Sequence, residues 1–281
     1  MKNISRLMLF FIVTVMLGVS CAPVTSAPNN PGKTNNIQFP MGTNINIIYL
    51  HHSTGGVIWG GGVPAIIADY NASNGVSYQI TERDYPKSSP YGWKNYPFDY
   101  WYLWVSNAGT NQVETEDTLE ILTLAYDVIV FKHCYPVSEI GPDSGPGNVT
   151  SEVKTISNYV LQYNALKTKM HEFPGNRFIV WTGAAKLEAT EVNTGDSQRA
   201  HDFFHWVVNT WDEPGDNIYV WDFFTLETEG GNYLLTNYAE APGNDHPNAV
   251  FAGTVAPYFC NRLIDVIQGL GDNDDYLGTN L

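Results

Sequence analysis

The sequence predicts an α/β protein: a three-layer α/β/α sandwich around a five-stranded, mostly parallel sheet. Two observations predict it. Five short stretches with strand character, 45–50, 76–83, 127–131, 177–182 and 217–223, are separated by segments with helical spacing. Apolar strands alternating with helices are what a sheet covered on both faces requires. The chain is also long enough, at 281 residues and 43% hydrophobic, to bury one large core, and no internal repeat divides it.

In chain order, residues 1–20 read as an export signal. Lys2 and Arg6 give a positive start, and the apolar run 7–17 is too short to span a membrane comfortably. Cys21, just past Leu17-Gly18-Val19-Ser20, resembles the lipidated Cys of a bacterial lipoprotein. The mature protein is therefore expected outside the cytoplasm, lipid-anchored or secreted. Residues 21–42, rich in Pro, Asn, Ser, Thr and Gly, read as a flexible tether. The folded domain is expected over 43–270.

Within it, the first apolar run stops at His51-His52-Ser53-Thr54-Gly55-Gly56, and helical spacing resumes over 58–70. After the second strand comes an aromatic segment from Tyr85 to Trp104, broken by Pro86, Pro90 and Pro97. It reads as a long loop over the sheet edge, with Trp93 or Trp101 partly exposed near Ser53 and suited to stacking on sugars. Helices are predicted over 117–124, over 151–173 with Thr150 as cap, and over 197–211. A last helix over 247–270 has Pro247 in its first turn, where a missing N–H is harmless. Asp272-Asn273-Asp274-Asp275 opens an acidic, solvated tail, 271–281.

The formal net charge is −15. A field of that sign repels phosphate backbones and anionic headgroups, so nucleic acid is excluded as a partner and membrane contact is left to a lipid anchor alone. Three cysteines occur. With Cys21 lipidated, Cys134 and Cys260 remain, able to pair or to stay separate. His201 and His205 have the spacing that places two imidazoles on one helix face, but no third ligand is evident, so no metal is expected.

Ser53 and His246 carry the candidate chemistry. A Ser in a small-residue turn after the first strand lies at the carboxyl edge of a parallel sheet, where such sheets place their ligands. The bland alternative is a helix N-cap. His246, after the last strand, falls at the same edge, and His is the side chain suited to act as a base for a hydroxyl near neutral pH. A rival pairing would use Cys134 as the nucleophile, although a Cys at a strand end is more often simply buried.

On these residues the chain resembles the SGNH (GDSL-like) hydrolase superfamily, as a divergent bacterial lipoprotein member. Ser53 matches the nucleophile of the family's first block. His246-Pro247-Asn248 matches its last block, and the element order between them agrees. There are departures. The family's Gly-Asp before Ser is His51-His52. Its acid, three residues before the His, is Gly243, which leaves Asp245, Asp222 or a plain dyad. Its Gly-x-Asn after the third strand is replaced by Lys132-His133-Cys134-Tyr135, and its second-block Gly is Gly92 or Gly109. The resemblance implies a cofactor-free serine esterase acting on an acylated carbohydrate or another small ester. Ser53, His246 and Asp245 would be catalytic. Thr54, Gly55, Gly92, Lys132, His133 and Trp93 would hold the oxyanion or substrate. The alternatives are a non-catalytic glycan-binding lipoprotein on the same fold, or a lipid or thioester acylhydrolase.

Overall fold

The computed structural model describes residues 40–94 and 96–280. The export signal, Cys21 and nearly all of the tether lie outside the described residues.

Strand β1 (Asn44–His51) leads into helices α1 (Thr54–Gly60) and α2 (Val63–Asn74), and then β2 (Ser77–Asp84). Helix α3 (Pro97–Trp101) runs on into a π-helical turn over Tyr102–Ser106. Helix α4 (Leu119–Ala125), β3 (Val128–Phe131), α5 (Ile156–Met170), β4 (Arg177–Trp181) and α6 (Asp196–Trp206) follow. The chain closes with β5 (Ile218–Trp221), α7 (Phe223–Thr228), a two-stranded antiparallel hairpin of β6 (Ala239–Ala241) and β7 (Asn244–Pro247), and α8 (Ala249–Gln268).

The five predicted strands form one parallel sheet in the order β2-β1-β3-β4-β5. Side chains alternate across it. Ile48, Leu50, Ile129, Phe131, Phe178 and Val180 face a core filled by α3 to α6, with Trp104, Tyr159, Tyr163 and Phe203 prominent. Ile47, Tyr49, Val130, Ile179, Trp181 and Trp221 face a second core filled by α1, α2 and α8, through Ile58, Ile67, Val255, Phe259 and Leu263. Helix α8 is long and apolar enough to cross a membrane, yet more than half of it is buried in this second core.

Several elements differ from the sequence reading. The single helix expected over 58–70 is two, broken at Gly61-Gly62. A side chain on Gly61 would collide with the Ala252 carbonyl of α8, and Gly62 has φ +114. The aromatic stretch is not all loop, since α3 and the π-turn pack their rings against α5. Helix α5 starts at Ile156 because Thr155, not Thr150, caps it by accepting the Asn158 N–H. Pro247 ends β7 rather than opening α8. Asn248 is the cap, its Oδ1 accepting the Phe251 N–H at 2.8 Å. Cys134 and Cys260 are both free and buried. The acidic tail folds back onto the domain: the Asp222 N–H donates to the Tyr276 carbonyl and the Trp221 indole to the Leu277 carbonyl, each at 2.9 Å.

Candidate active site

In the 2-1-3-4-5 order the chain leaves β1 toward one edge of the sheet and β3 toward the other. The crevice at their carboxyl ends is where doubly wound sheets bind ligands. Ser53 and Thr54 follow β1, and Cys134 follows β3, so topology brings the three together. Ser53 Oγ lies 2.9 Å from Cys134 Sγ, and Thr54 Oγ1 lies 3.4 Å from the same sulfur. Ser53 is exposed, whereas Thr54 and Cys134 are buried. Ser53 sits at the N-cap position of α1 but makes no side-chain capping bond. The bland alternative of a capping hydroxyl therefore does not account for it.

Strand alternation continues past β3. Lys132 and Cys134 fall on the second-core side, and His133 on the first. His133 is wedged edge-on against Tyr100, with Tyr163 beside it, and neither ring nitrogen has a partner. Burial, with Lys132 nearby, lowers its pKa to about 3. It is a core residue, and its placement opposes the expected role of oxyanion donor. Lys132 is buried, its Nζ has no hydrogen-bond partner, and it lies 5.8 Å from the centre of the Trp181 ring. Its pKa is lowered by burial and pulled back by Cys134 and Glu227. Glu227, which no sequence signal singled out, is fully buried on α7. One oxygen accepts the Ala185 N–H at 2.7 Å and the other has no partner. Burial raises its pKa well above the ordinary carboxylate range, opposed by the Ala185 N–H and Lys132.

Gly55 does not offer an oxyanion donor, because its N–H donates to the His52 carbonyl at 2.7 Å. Its smallness serves packing instead: a Cβ there would meet His51 Cβ and the Tyr49 hydroxyl, each at 2.5 Å. His51 hydrogen-bonds Glu82 at 2.8 Å, and burial brings its pKa to about 3. His52, lowered to about 4 by burial, stacks on Trp93 with ring centres 4.1 Å apart. Half-buried Trp93 thus packs on the residue that precedes Ser53. Trp101 is buried and belongs to the core, so of the two tryptophans it is Trp93 that is partly exposed. Gly92, with φ +78, lies in the same segment and lines a separate cavity of about 250 Å³ with Tyr91, Phe98, Asp99, Tyr102 and Glu152.

His246 lies on β7, which packs against α1, the helix that begins beside Ser53. Its ring meets Tyr135 edge-on at 5.2 Å. Its hydrogen bonds fix its tautomer. Asn244 Nδ2 donates to the Glu240 carboxylate at 2.9 Å, which turns Asn244 Oδ1 toward His246. That oxygen accepts the His246 backbone N–H at 3.0 Å and faces Nδ1 at 2.7 Å. A carbonyl oxygen only accepts, so Nδ1 carries the proton and Nε2 holds the lone pair. Among the described residues Nε2 has no hydrogen-bond partner. The pKa of His246 is lowered by burial, opposed by Glu240.

Asp245 turns away, as neighbours on a strand do. Its Oδ1 accepts the Leu187 N–H at 2.8 Å and the Thr190 hydroxyl at 2.5 Å, so it anchors the 187–190 turn rather than orienting His246. Asp222 caps α7 and accepts the Thr182 hydroxyl at 2.9 Å. The group that orients His246 is Asn244, two residues before it. Ser53 and His246 share the sheet edge but no hydrogen bond.

Among the described residues no group of three metal-ligating side chains occurs. His201 and His205 stack on α6 at 6.0 Å.

No family model matches the chain, and no curated protein matches it. Among solved structures it is similar to a gut microbial diltiazem-metabolizing enzyme, with 12% identity and a TM-score of 0.45. The alignment covers 83% of this chain and 48% of that one, so the chain spans about half the length of its structural neighbour. The likeness is a distant one.

Proposed function

We propose that this chain is a serine hydrolase of esters, with Ser53 as nucleophile and His246 as general base. Its site of action is outside the cytoplasm, and an acylated carbohydrate is the favoured substrate. The observation that carries the reading is the Ser53 hydroxyl, exposed at the switch-point crevice and free of any capping role. The Glu240–Asn244–His246 chain supports it by presenting an unprotonated Nε2 on a neighbouring element. Trp93, stacked on His52 next to Ser53 in the chain, suits a sugar ring.

In this mechanism Ser53 Oγ attacks the ester carbonyl carbon as His246 Nε2 takes its proton. The imidazolium then protonates the departing alcohol, and water repeats the sequence on the acyl-enzyme. The Asn244 carbonyl holds the Nδ1–H throughout. In the resting geometry the Ser53 hydroxyl contacts Cys134, so turnover requires it to exchange that contact for His246, directly or through one water. Such contacts commonly tighten only with substrate bound.

Fluorophosphonate labelling, read site by site by mass spectrometry, tests the reading. Label on Ser53, lost in Ser53→Ala together with hydrolysis of acetyl and aryl esters, is the expected result. The unmade Ser53–His246 bond favours one competitor, a glycan-binding protein without turnover. No label, no hydrolysis of acetyl, feruloyl or short acyl esters, and retained glycan binding would establish that competitor instead.

A further inference from the structure

The β6–β7 hairpin walls a cavity that the reaction described above leaves unused. The cavity holds about 380 Å³ between the hairpin, at Ala239 to Gly243, and the turn Leu187-Glu188-Ala189. A hollow of about 300–1,000 Å³, mostly apolar with a few placed polar groups, is the usual form of a small-molecule site. The two walls are tied together. Asp245 on β7 accepts the Leu187 N–H at 2.8 Å and the Thr190 hydroxyl at 2.5 Å, which holds the turn against the hairpin. Leu187 and Ala239 are buried, and with Ala189, Ala241 and Pro242 they make the lining largely apolar. The charged groups in the lining are two carboxylates, Glu188 and Glu240, and among the described residues no basic side chain joins them. An apolar wall with two carboxylates and no cation complements an apolar body that carries a positive charge.

Glu240 also joins the cavity to His246. Its Oε2 accepts Asn244 Nδ2 at 2.9 Å, and Asn244 Oδ1 faces His246 Nδ1 at 2.7 Å, so two hydrogen bonds separate the cavity wall from the imidazole. We propose that this cavity binds a small apolar molecule bearing an ammonium group, held by Glu240 and Glu188, and that His246 senses its occupancy through Asn244. An ammonium on Glu240 draws the carboxylate's charge away from the Asn244 amide. The Asn244 carbonyl is then a weaker acceptor for Nδ1–H, and the imidazole a weaker base at Nε2. The binding site stands without the serine-hydrolase reading; only its effect on turnover rests on that reading.

The experiment titrates the full chain with phenethylamine, 2-phenylethanol and phenylacetate, which share an aromatic ring and carry positive, no and negative charge. Nuclear magnetic resonance of the His246 ring nitrogens, assigned with His246→Gln, is the readout and needs no turnover. Phenethylamine should bind saturably, at least about tenfold tighter than phenylacetate, weaken with added salt, and shift the His246 nitrogens as it binds. Glu240→Gln should cut its affinity by about tenfold and leave that of 2-phenylethanol unchanged. Ala241→Trp, which fills the cavity from an exposed position, should abolish binding, and Ala239→Leu obstructs it from the buried wall if the first variant fails to fold by circular dichroism. Equal affinity for the three compounds, full binding in a folded cavity-filled variant, or binding that leaves the His246 nitrogens unmoved overturns the proposal. Where neither filled variant folds, the charge series and Glu240→Gln decide. On an aryl ester, phenethylamine should lower kcat in wild type and have no effect in Ala241→Trp. A chain that binds the amine at this site but hydrolyses no ester refutes the hydrolase reading and leaves the site standing. A chain that hydrolyses esters and is indifferent to the amine refutes the site alone.

Discussion

Asn244 fixes which nitrogen of His246 carries the proton, and a catalytic base in the wrong tautomer is inert. Asn244→Ala should therefore lower kcat by about 10- to 100-fold with KM little changed, as loss of a group that orients a functional His generally does. Steady-state kinetics on an aryl ester would show it. Asp245 should behave differently. Asp245→Ala removes a buried acceptor of two hydrogen bonds and should destabilise the fold by about 1–3 kcal/mol, while reducing activity far less than His246→Ala. Urea unfolding and kinetics on the two variants separate these roles, and equal near-complete loss of activity in both, with folding intact, would restore Asp245 to the mechanism. Adjacent residues on a strand face opposite ways and residues two apart share a face, so the alternation of β7 sends Asp245 away from His246 and sets Asn244 beside it. The sequence reading, with Asp245 as the candidate acid and a helix from Pro247, contains no hairpin before that helix, and so it did not single out Asn244. Glu227 left no trace in the sequence, because its burial depends on α7 folding beneath the sheet edge.

At the scale of elements, the legible parts were those with a strong period. All five sheet strands stand where apolar runs predict them. The missed elements are short and set by tertiary packing: α3 with its π-turn, α7, and the β6–β7 hairpin. The same alternation that builds β3 splits the Lys132–Cys134 segment, sending one pair of side chains to the site and His133 into aromatic packing. Three histidines at these strand ends are kept neutral by burial, His51 and His133 with pKa about 3 and His52 about 4. Unfolded histidines bind protons near pH 6.5. Between that value and the folded values the unfolded chain holds more protons, so stability is full above about pH 6.5 and is lost as pH falls toward 3. The melting temperature should fall progressively below pH 6.5, and His133→Phe, an apolar ring in the same packing, should weaken that dependence. An unchanged slope in the variant would show that His133 is not one of the groups responsible. Gly55 is a second packing constraint: Gly55→Ala should destabilise by about 1–3 kcal/mol, because the Cβ has no room against His51 and Tyr49.

At the scale of the molecule, the strand order matters most, for it alone brings the turn after β1 to the turn after β3. The sequence supports parallel strands and a common edge for Ser53 and His246. It does not supply which strands are adjacent, and so the Ser53–Cys134 contact was out of its reach. The order also leaves two outer strands, each with unpaired backbone groups that could recruit another chain. They are protected in different ways. The outer strand β2 ends in charge at Glu82, Arg83 and Asp84. At β5 the Arg262 guanidinium of α8 donates to the Val220 carbonyl at 2.9 Å, and the segment after α8 meets the end of the strand through Tyr276 and Leu277; Asp275 pins that segment by accepting the Thr279 and Asn280 N–H groups at 3.0 and 2.7 Å. Deleting residues 271–281 should therefore raise light scattering during refolding more than it lowers the urea midpoint. The position of this segment along the chain gives the arrangement a further meaning. It follows β5 only after α7, the hairpin and α8, so that end of the strand cannot be met until those three elements have folded into place. A chain caught with the sheet formed but α8 undocked keeps one side of the sheet open to its neighbours, and dilution or a chaperone is what keeps such chains apart.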